Sequence, residues 1–318
     1  MARTLLGAGS AVAAFDIGGT DLKAALFDEL GEMLGIVREP TLPDPRDGVP
    51  EVVDQIATIW SRLAKAHPEV AVASLGVVSP GTVNEHAGVC VSAENLRWND
   101  VPLRDQIAHR VPIPVAFGHD VRAAGLAEQR LGAAAAYRDC IVVVIGTGIA
   151  AAVFAGGQLY SADGYAGEIG HLVIDPAGPL CACGRRGCLE AIASAGAIAR
   201  RYAAATGSSV PGAQVVLTRA RAGDVVAQDV WNTAIEALGI GLSHVVDVLG
   251  PEAVIIGGGL SQAGDDLFIP LQAELDRRIG TQRRPLLMQA AIGQDAGLVG
   301  AALIARDLVS RSMTGQVA

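Results

Sequence analysis

The chain is poor in aromatic residues, at 4% of 318, and poor in charge, at 18%. It has five cysteines and four methionines. So few cysteines cannot frame a disulfide-stapled scaffold. Basic tracts are also missing: the longest are pairs such as Arg185-Arg186 and Arg283-Arg284. With 24 Lys and Arg against 33 Asp and Glu, the net charge is −9. An acidic chain without a basic tract repels phosphate backbones, which argues against a nucleic-acid partner. No uninterrupted apolar run reaches membrane-spanning length. Residues 140–157 carry no charge, but Gly146-Thr147-Gly148 divides them into two runs of strand length. The N-terminal MARTLLGAGSAVAAFD imitates a secretory leader, yet it runs straight into a glycine motif and reads as a buried first strand. These features describe a soluble cytoplasmic protein with no membrane partner. Neither a GxxxxGK[ST] loop nor a GxGxxG fingerprint is present.

What is abundant is apolar residues, at 51%, and glycine, with 39 copies, well above the roughly 7% of an average chain. The length suits two domains with sizeable cores. The opening reads as strand, glycine turn and strand (AVAAFDIG, GGTD, LKAALFDE), then a third strand, MLGIVREP. Residues 52–66 place Val52, Val53, Ile56, Trp60 and Leu63 at helical spacing. VAVASLGVV (70–78) reads as a buried strand, and VPIPVAF leads to Asp120 at the start of a helix. From residue 140 the strand–glycine–strand pattern returns, which suggests two related halves. A long apolar helix over 225–249, a strand ending in glycines and a last helix near 297–310 complete the chain. Both halves are mixed α/β. The expected domains are 1–118 joined by a C-terminal helix at about 298–318, and 119–297, flanking a cleft.

Three glycine clusters follow apolar strands. Asp16-Ile17-Gly18-Gly19-Thr20 offers bare backbone N–H groups and a hydroxyl to a phosphate, with Asp16 placed to hold Mg²⁺ through water; taken alone it also fits an ordinary hairpin turn. Gly146-Thr147-Gly148 repeats the pattern, and Gly257-Gly258-Gly259 offers bare backbone on which a nucleoside could lie, or a plain strand-to-helix turn. His171, Cys181, Cys183 and Cys188 fall within eighteen residues. Three thiolates and an imidazole match a closed, structural Zn²⁺ site, with Gly184 and Gly187 letting the loop wrap the ion. Cys90 and Cys140 read as buried hydrophobes. Glu168 and Glu190 flank the cysteine loop, and His171 has a second nitrogen to offer. Each glutamate alone fits a solvated surface, but with Asn95 and Asp120 they supply donors and acceptors suited to a polyol.

These residues resemble the ROK family (repressors, open reading frames and sugar kinases). The markers are DIGGT (16–20), ENLRW (94–98), HD (119–120), GTG (146–148), GEIGH (167–171), CACGRRGCLE (181–190) and IIGGGLS (255–261), in family order over essentially the whole chain. The resemblance implies an actin-like ATPase (ribonuclease H-like) fold of two α/β domains. It implies ATP on the 16–20 and 146–148 loops, and a hexose bound by Asn95, Asp120, Glu168, His171 and Glu190. Asp120 matches the family's catalytic base, which takes the proton of the sugar 6-hydroxyl as it attacks the γ-phosphorus. The expected reaction is ATP-dependent phosphorylation of glucose, with an N-acylmannosamine or another hexose as the alternative, in a homodimer or homotetramer. A sugar-sensing regulator is the other class, but family repressors carry an N-terminal helix-turn-helix for which Asp16 leaves no room.

Three departures stand out. The family pattern NDxNAA is here His119-Asp120-Val121-Arg122-Ala123-Ala124, so His119 stands where an Asn touches the sugar. Ala150-Ala151-Ala152 stands where glycines follow the GTG loop, either crowding the phosphates or packing the strand. Asp21 stands where Lys is common.

Overall fold

The computed structural model describes residues 6–42 and 51–314. Residues 1–5 of the leader-like stretch and 315–318 of the expected last helix lie outside the described residues. The chain divides into two compact units. The first is Met1–Leu131 with Ser161–Ala166 and Asp295–Ala318; the second is Gly132–Tyr160 with Gly167–Gln294.

In the first unit, β1 (Val12–Ile17), β2 (Asp21–Phe27) and β3 (Met33–Pro40) form an antiparallel meander. The helix α1 (Glu51–Ala66) follows, then β4 (Ser74–Ser79). A small antiparallel sheet of β5 (Thr82–Asn84), β6 (Val89–Ala93) and β7 (Trp98–Val101) comes next. After it come α2 (Leu103–Ala108), β8 (Val115–His119) and α3 (Asp120–Leu131). The main sheet has the order β3-β2-β1-β4-β8, with β4 parallel to both β1 and β8. Helix α1 buries Val52, Val53, Ile56, Ile59 and Leu63, one stripe at 3–4 spacing, against Phe15, Ile17, Leu22, Leu26, Leu75 and Val77 of the sheet. Acidic residues in its first turn and Lys65 in its last complement the helix dipole.

The second unit repeats this plan. It contains β9 (Cys140–Ile145), β10 (Ile149–Ala155) and β11 (Gln158–Tyr160), then the helices α4 (Leu189–Ala193), α5 (Ala195–Thr206), α6 (Ala213–Arg221) and α7 (Val225–Leu249). Strand β12 (Ala253–Gly257), α8 (Asp265–Arg278) and β13 (Leu286–Gln289) follow. The sheet order is β11-β10-β9-β12-β13, again a meander followed by parallel strands, so the echo in the sequence is a repeated topology. Helix α7 spans the expected residues because its ends are chemically marked. The Asp224 carboxylate accepts the N–H groups of Val226 and Ala227, and Gly250 takes a left-handed conformation at φ 53°. One face of the sheet packs on α4–α8 through Ile141, Val143, Ile145, Val254 and Ile256. The other face holds Cys140, Val142, Ala152, Phe154 and Ile255.

The last helix, α9 (Ala296–Thr314), belongs to the first unit and lies on the sheet face opposite α1. Strand β4 alternates sides accordingly. Leu75 and Val77 point to the α1 core, while the Ser74 hydroxyl donates to the Ala305 carbonyl at 2.9 Å. Gly76 lets the helix reach the strand: a Cβ there would stand 1.9 Å from the Ala301 carbonyl oxygen. Gly300 does the same against α3, where a Cβ would stand 2.1 Å from the Ala123 oxygen.

Two expectations differ in detail. The strand expected over 70–78 begins at Ser74. The first division falls after Leu131 rather than 118, because α3 packs against α9, and Ser161–Ala166 joins the first unit. Among the described residues, no helix is long and apolar enough to cross a membrane.

Gly76→Ala and Gly300→Ala force backbone apart across two helix contacts. Each is expected to lower the unfolding free energy by at least about 1–3 kcal/mol, read as a lower urea midpoint; an unchanged midpoint would refute the packing argument.

Candidate active site and metal centre

In each unit some of the candidate residues lie at the carboxyl ends of parallel strands, where open α/β sheets bind ligands. In the first unit, Asp16 and the 18–20 loop follow the end of β1, and Asp120 follows β8. Asp16 sits on the α9 face, against the start of that helix. A Cβ on Gly297 would stand 2.7 Å from Asp16 Oδ2, so only glycine leaves the carboxylate room. Lys23 Nζ lies 3.8 Å from the same oxygen. Burial pushes the Asp16 carboxyl above its ordinary range, against the pull of Lys23, with Asp295 adding to the rise. The loop itself is a tight turn: the Gly18 N–H donates to the Asp21 carbonyl at 2.8 Å, and the Thr41 hydroxyl donates to the Gly18 carbonyl at 2.8 Å. Gly19 and Thr20 are left exposed. Asn95 lies in the single 3-10 turn Glu94–Leu96, which ends on Arg97 in a left-handed conformation.

Asp120 opens α3, as expected, and its Oδ1 accepts the Val121 N–H at 2.6 Å. Around it lies a buried polar group that sequence reading missed. Arg122 is 1% exposed. Its guanidinium donates to Glu85 Oε1 at 2.8 Å, the Val83 carbonyl at 3.0 Å and the Gly164 carbonyl at 3.3 Å. The signal was available: an arginine in the first turn, beside alanines, on a helix that must pack. Gly164 closes a short turn in which Ala162 and Asp163 also hold positive φ, and Arg122 ties that turn to α3.

In the second unit, the Gly146-Thr147-Gly148 loop joins β9 to β10, and Gly257-Gly258-Gly259 ends the neighbouring parallel strand β12. Gly258 has φ 79°, and a Cβ there would stand 2.4 Å from the Ile145 carbonyl, so backbone approaches backbone between the two clusters. Nothing lies within 4 Å of a Cβ on Gly146 or Gly259. Glu190 reaches this loop: its Oε2 accepts the Ile149 N–H at 2.9 Å, and a Cβ on Gly148 would stand 2.5 Å from it. Gly167 and Gly170 bring the GEIGH segment onto β10, where Cβ atoms would stand 1.9 and 2.1 Å from the Ala151 and Ile149 carbonyls. Ala151 and Ala152 are buried in the two cores, so they pack the strand.

His171 sits between two sets of groups. Its Nδ1 lies 3.7 Å from Cys181 Sγ, and its Nε2 lies 3.9 Å from Glu168 Oε2. Cys183 and Cys188 place their sulfurs 3.6 Å apart, far beyond the roughly 2.0 Å of a disulfide. The ligand atoms of His171, Cys181, Cys183 and Cys188 all lie within 4.8 Å of one another, a group that could hold a metal ion. A tetrahedral ion about 2.3 Å from each sulfur would set edges of about 3.8 Å, close to the two separations seen. The Arg185 backbone N–H holds the Cys183 thiol down to about 6, favouring the thiolate that metals bind.

Two repeated sheets, each with a glycine hairpin after its first strand, define an α/β protein built like the actin-like ATPases. The particular branch follows from comparison. The ROK family pattern matches residues 12–308, and the chain belongs to this family. Over 313 residues it is 34% identical to a glucokinase of Streptomyces coelicolor, covering 92% of this chain and 96% of that one. It is 32% identical over 300 residues to an N-acetylmannosamine kinase of Shigella flexneri, covering 93% and 98%. A ROK family glucokinase from Streptomyces griseus, solved in complex with glucose and AMPPNP, superimposes with a TM-score of 0.80 at 31% identity, covering 94% of this chain and all of that one. The fold is the expected actin-like ATPase fold.

Because burial raises the folded-state pKa of Asp16, its stabilising contribution is complete below its ordinary pKa and is lost as pH rises through the folded value. At pH 7, above its ordinary pKa, the buried carboxyl therefore contributes less to stability than it does in acid. Asp16→Asn is expected to raise the melting temperature of the ligand-free protein at pH 7, with the gain shrinking near pH 4. A lower melting temperature at pH 7 would contradict the assignment of burial as the dominant cause.

Proposed function

We propose that the chain is an ATP-dependent hexose kinase that phosphorylates glucose at its 6-hydroxyl, with Asp120 as general base. The observation that carries this reading is Asp120 itself: a carboxylate at the carboxyl end of a parallel strand, held at a helix start, in a chain whose relatives include glucokinases. Asp120 accepts the hydroxyl proton as the sugar oxygen approaches the γ-phosphorus. In a loose phosphoryl-transfer transition state that proton leaves late, so a carboxylate of ordinary basicity serves. Asn95, Glu168, His171 and Glu190 hold sugar hydroxyls. The loops 18–20, 146–148 and 257–259 present backbone N–H groups to the nucleotide. Asp16 holds Mg²⁺ through water, and the ion when bound neutralises charge on the phosphates.

His171, Cys181, Cys183 and Cys188 form a structural zinc site. Soft thiolates with one imidazole suit Zn²⁺, and four protein donors leave no open position for chemistry. The site orders the segment between Gly167 and α4, and so places Glu168 and Glu190. The enzyme acts in the cytoplasm as a homodimer or homotetramer. A second reading, phosphorylation of an N-acylmannosamine, is supported by the similarity to N-acetylmannosamine kinases.

Asp120→Asn is expected to lower kcat by about 10²–10⁴-fold while calorimetry finds glucose binding within a few-fold of wild type; near-normal turnover would remove Asp120 from the mechanism. A coupled assay with Mg-ATP across glucose, mannose and N-acetylmannosamine tests the sugar. Elemental analysis is expected to find about one zinc per chain, and Cys188→Ser to lose it together with several degrees of melting temperature; a folded, metal-free wild-type protein would refute the zinc site.

A further inference from the structure

His119 fits poorly as a sugar contact. The residue is 5% exposed, and both ring nitrogens have protein neighbours. The backbone N–H of Arg122 points at Nδ1 from 3.3 Å. A backbone N–H can only donate, so Nδ1 carries the lone pair and the proton of the neutral ring is on Nε2. That Nε2 lies 3.4 Å from Asp120 Oδ1, the oxygen that also takes the Val121 N–H. Burial, with the Arg122 cation alongside, pushes the imidazole down to about 3, so it stays neutral. The same pair of residues holds the histidine from its other side: Glu85 Oε1 accepts both Arg122 Nε and, at 3.3 Å, the His119 backbone N–H.

We propose that His119 is a positioning residue for Asp120, a neutral imidazole whose Nε2 lies 3.4 Å from the carboxylate, whose tautomer is set by the Arg122 backbone N–H and whose placement is set by the Glu85–Arg122 pair. The inference rests on Asp120 being the base. It accounts for two departures at once, since the family pattern has Asn at both 119 and 122. The backbone of residue 122 supplies the donor into Nδ1, as any non-proline residue there would, while the Arg122 side chain supplies a cation that helps keep the ring neutral and the anchors on Val83 and Gly164. His119 passes that rigidity to Asp120. A carboxylate held in one plane at Oδ1 meets the attacking hydroxyl without first losing rotational freedom, which favours turnover rather than sugar affinity.

The test compares His119→Leu, which removes both ring nitrogens, with His119→Gln, whose amide N–H stands near the place of Nε2. The Leu variant is expected to lower kcat about 10–100-fold, with the glucose KM within about threefold of wild type and the ranking of sugars unchanged. The Gln variant is expected to recover at least about tenfold of that loss. A Leu variant that raises KM at unchanged kcat, or re-ranks the sugars, would make His119 a sugar contact and overturn the proposal. So would a Gln variant no faster than Leu. Should the Leu variant fail to fold, ¹⁵N NMR of the wild-type protein at pH 7 still decides: a neutral Nε2–H imidazole is expected, and an Nδ1–H tautomer or an imidazolium overturns the proposal. Asp120→Asn run in parallel separates the two readings. If that variant keeps turnover, the base assignment itself fails; if it is inert while Leu and Gln behave alike, only the role of His119 fails.

Discussion

The first unit depends on backbone-to-backbone contact between its last helix and the strands and helix laid down long before it. Gly76 and Gly300 remove the Cβ atoms that would hold α9 away from β4 and α3, and Ser74 adds a hydrogen bond to the Ala305 carbonyl. Close approach of this kind gives dense packing without large side chains, which suits a chain in which aromatics are only 4%. The same approach brings Gly297 against Asp16 and α9 against α3, the helix that begins with Asp120. The C-terminal helix thus sets the surroundings of Asp16 and packs along the helix that Asp120 opens. It also explains why Asp16 carries a desolvation penalty: a carboxylate pressed under a helix start loses water on one side.

The second unit solves a different problem with the same topology. Its sheet and helices form a conventional apolar core, but the segment from Gly167 to Cys188 has almost no regular structure, only a 3-10 turn and isolated bridges. Such a segment has few backbone ladders to hold it. Glycines 167 and 170 press its start onto β10, and the cluster of three thiols and an imidazole gathers its end. Glu190, at the start of α4, then reaches the 146–148 loop and ties cluster and hairpin together through the Ile149 N–H. A loop anchored at both ends can hold Glu168 and His171 in fixed positions without burying them.

Around Asp120, side chains do what backbone does elsewhere. A buried guanidinium satisfied by one carboxylate and two carbonyls is costly to leave unpaired and therefore specific in what it organises. Arg122 joins β5, the 161–166 turn and α3, three segments with no contact that sequence order alone requires. The left-handed backbone at Ala162 and Asp163 is held in place by that junction.

Much of this was legible in the sequence, for reasons that are local. The α7 boundaries follow from Asp224 and Gly250, the two hairpins from glycines between apolar runs, and the metal cluster from ligand types within eighteen residues. Apolar periodicity and turn chemistry act over a few residues, so they can be read in place. What only the tertiary structure decided involves partners far apart in the chain. Gly297 matters because it meets Asp16, and Arg122 because it meets Glu85 and Gly164. The first segment of the first unit runs on to Leu131 because α3 packs on a helix from the far end of the chain. Burial also turned His119 inward, giving both ring nitrogens protein neighbours. The sequence by itself determined the elements, the glycine turns and the donor set; the tertiary structure decided which charges lost their water, because desolvation depends on everything packed around a group and not on its neighbours in the chain.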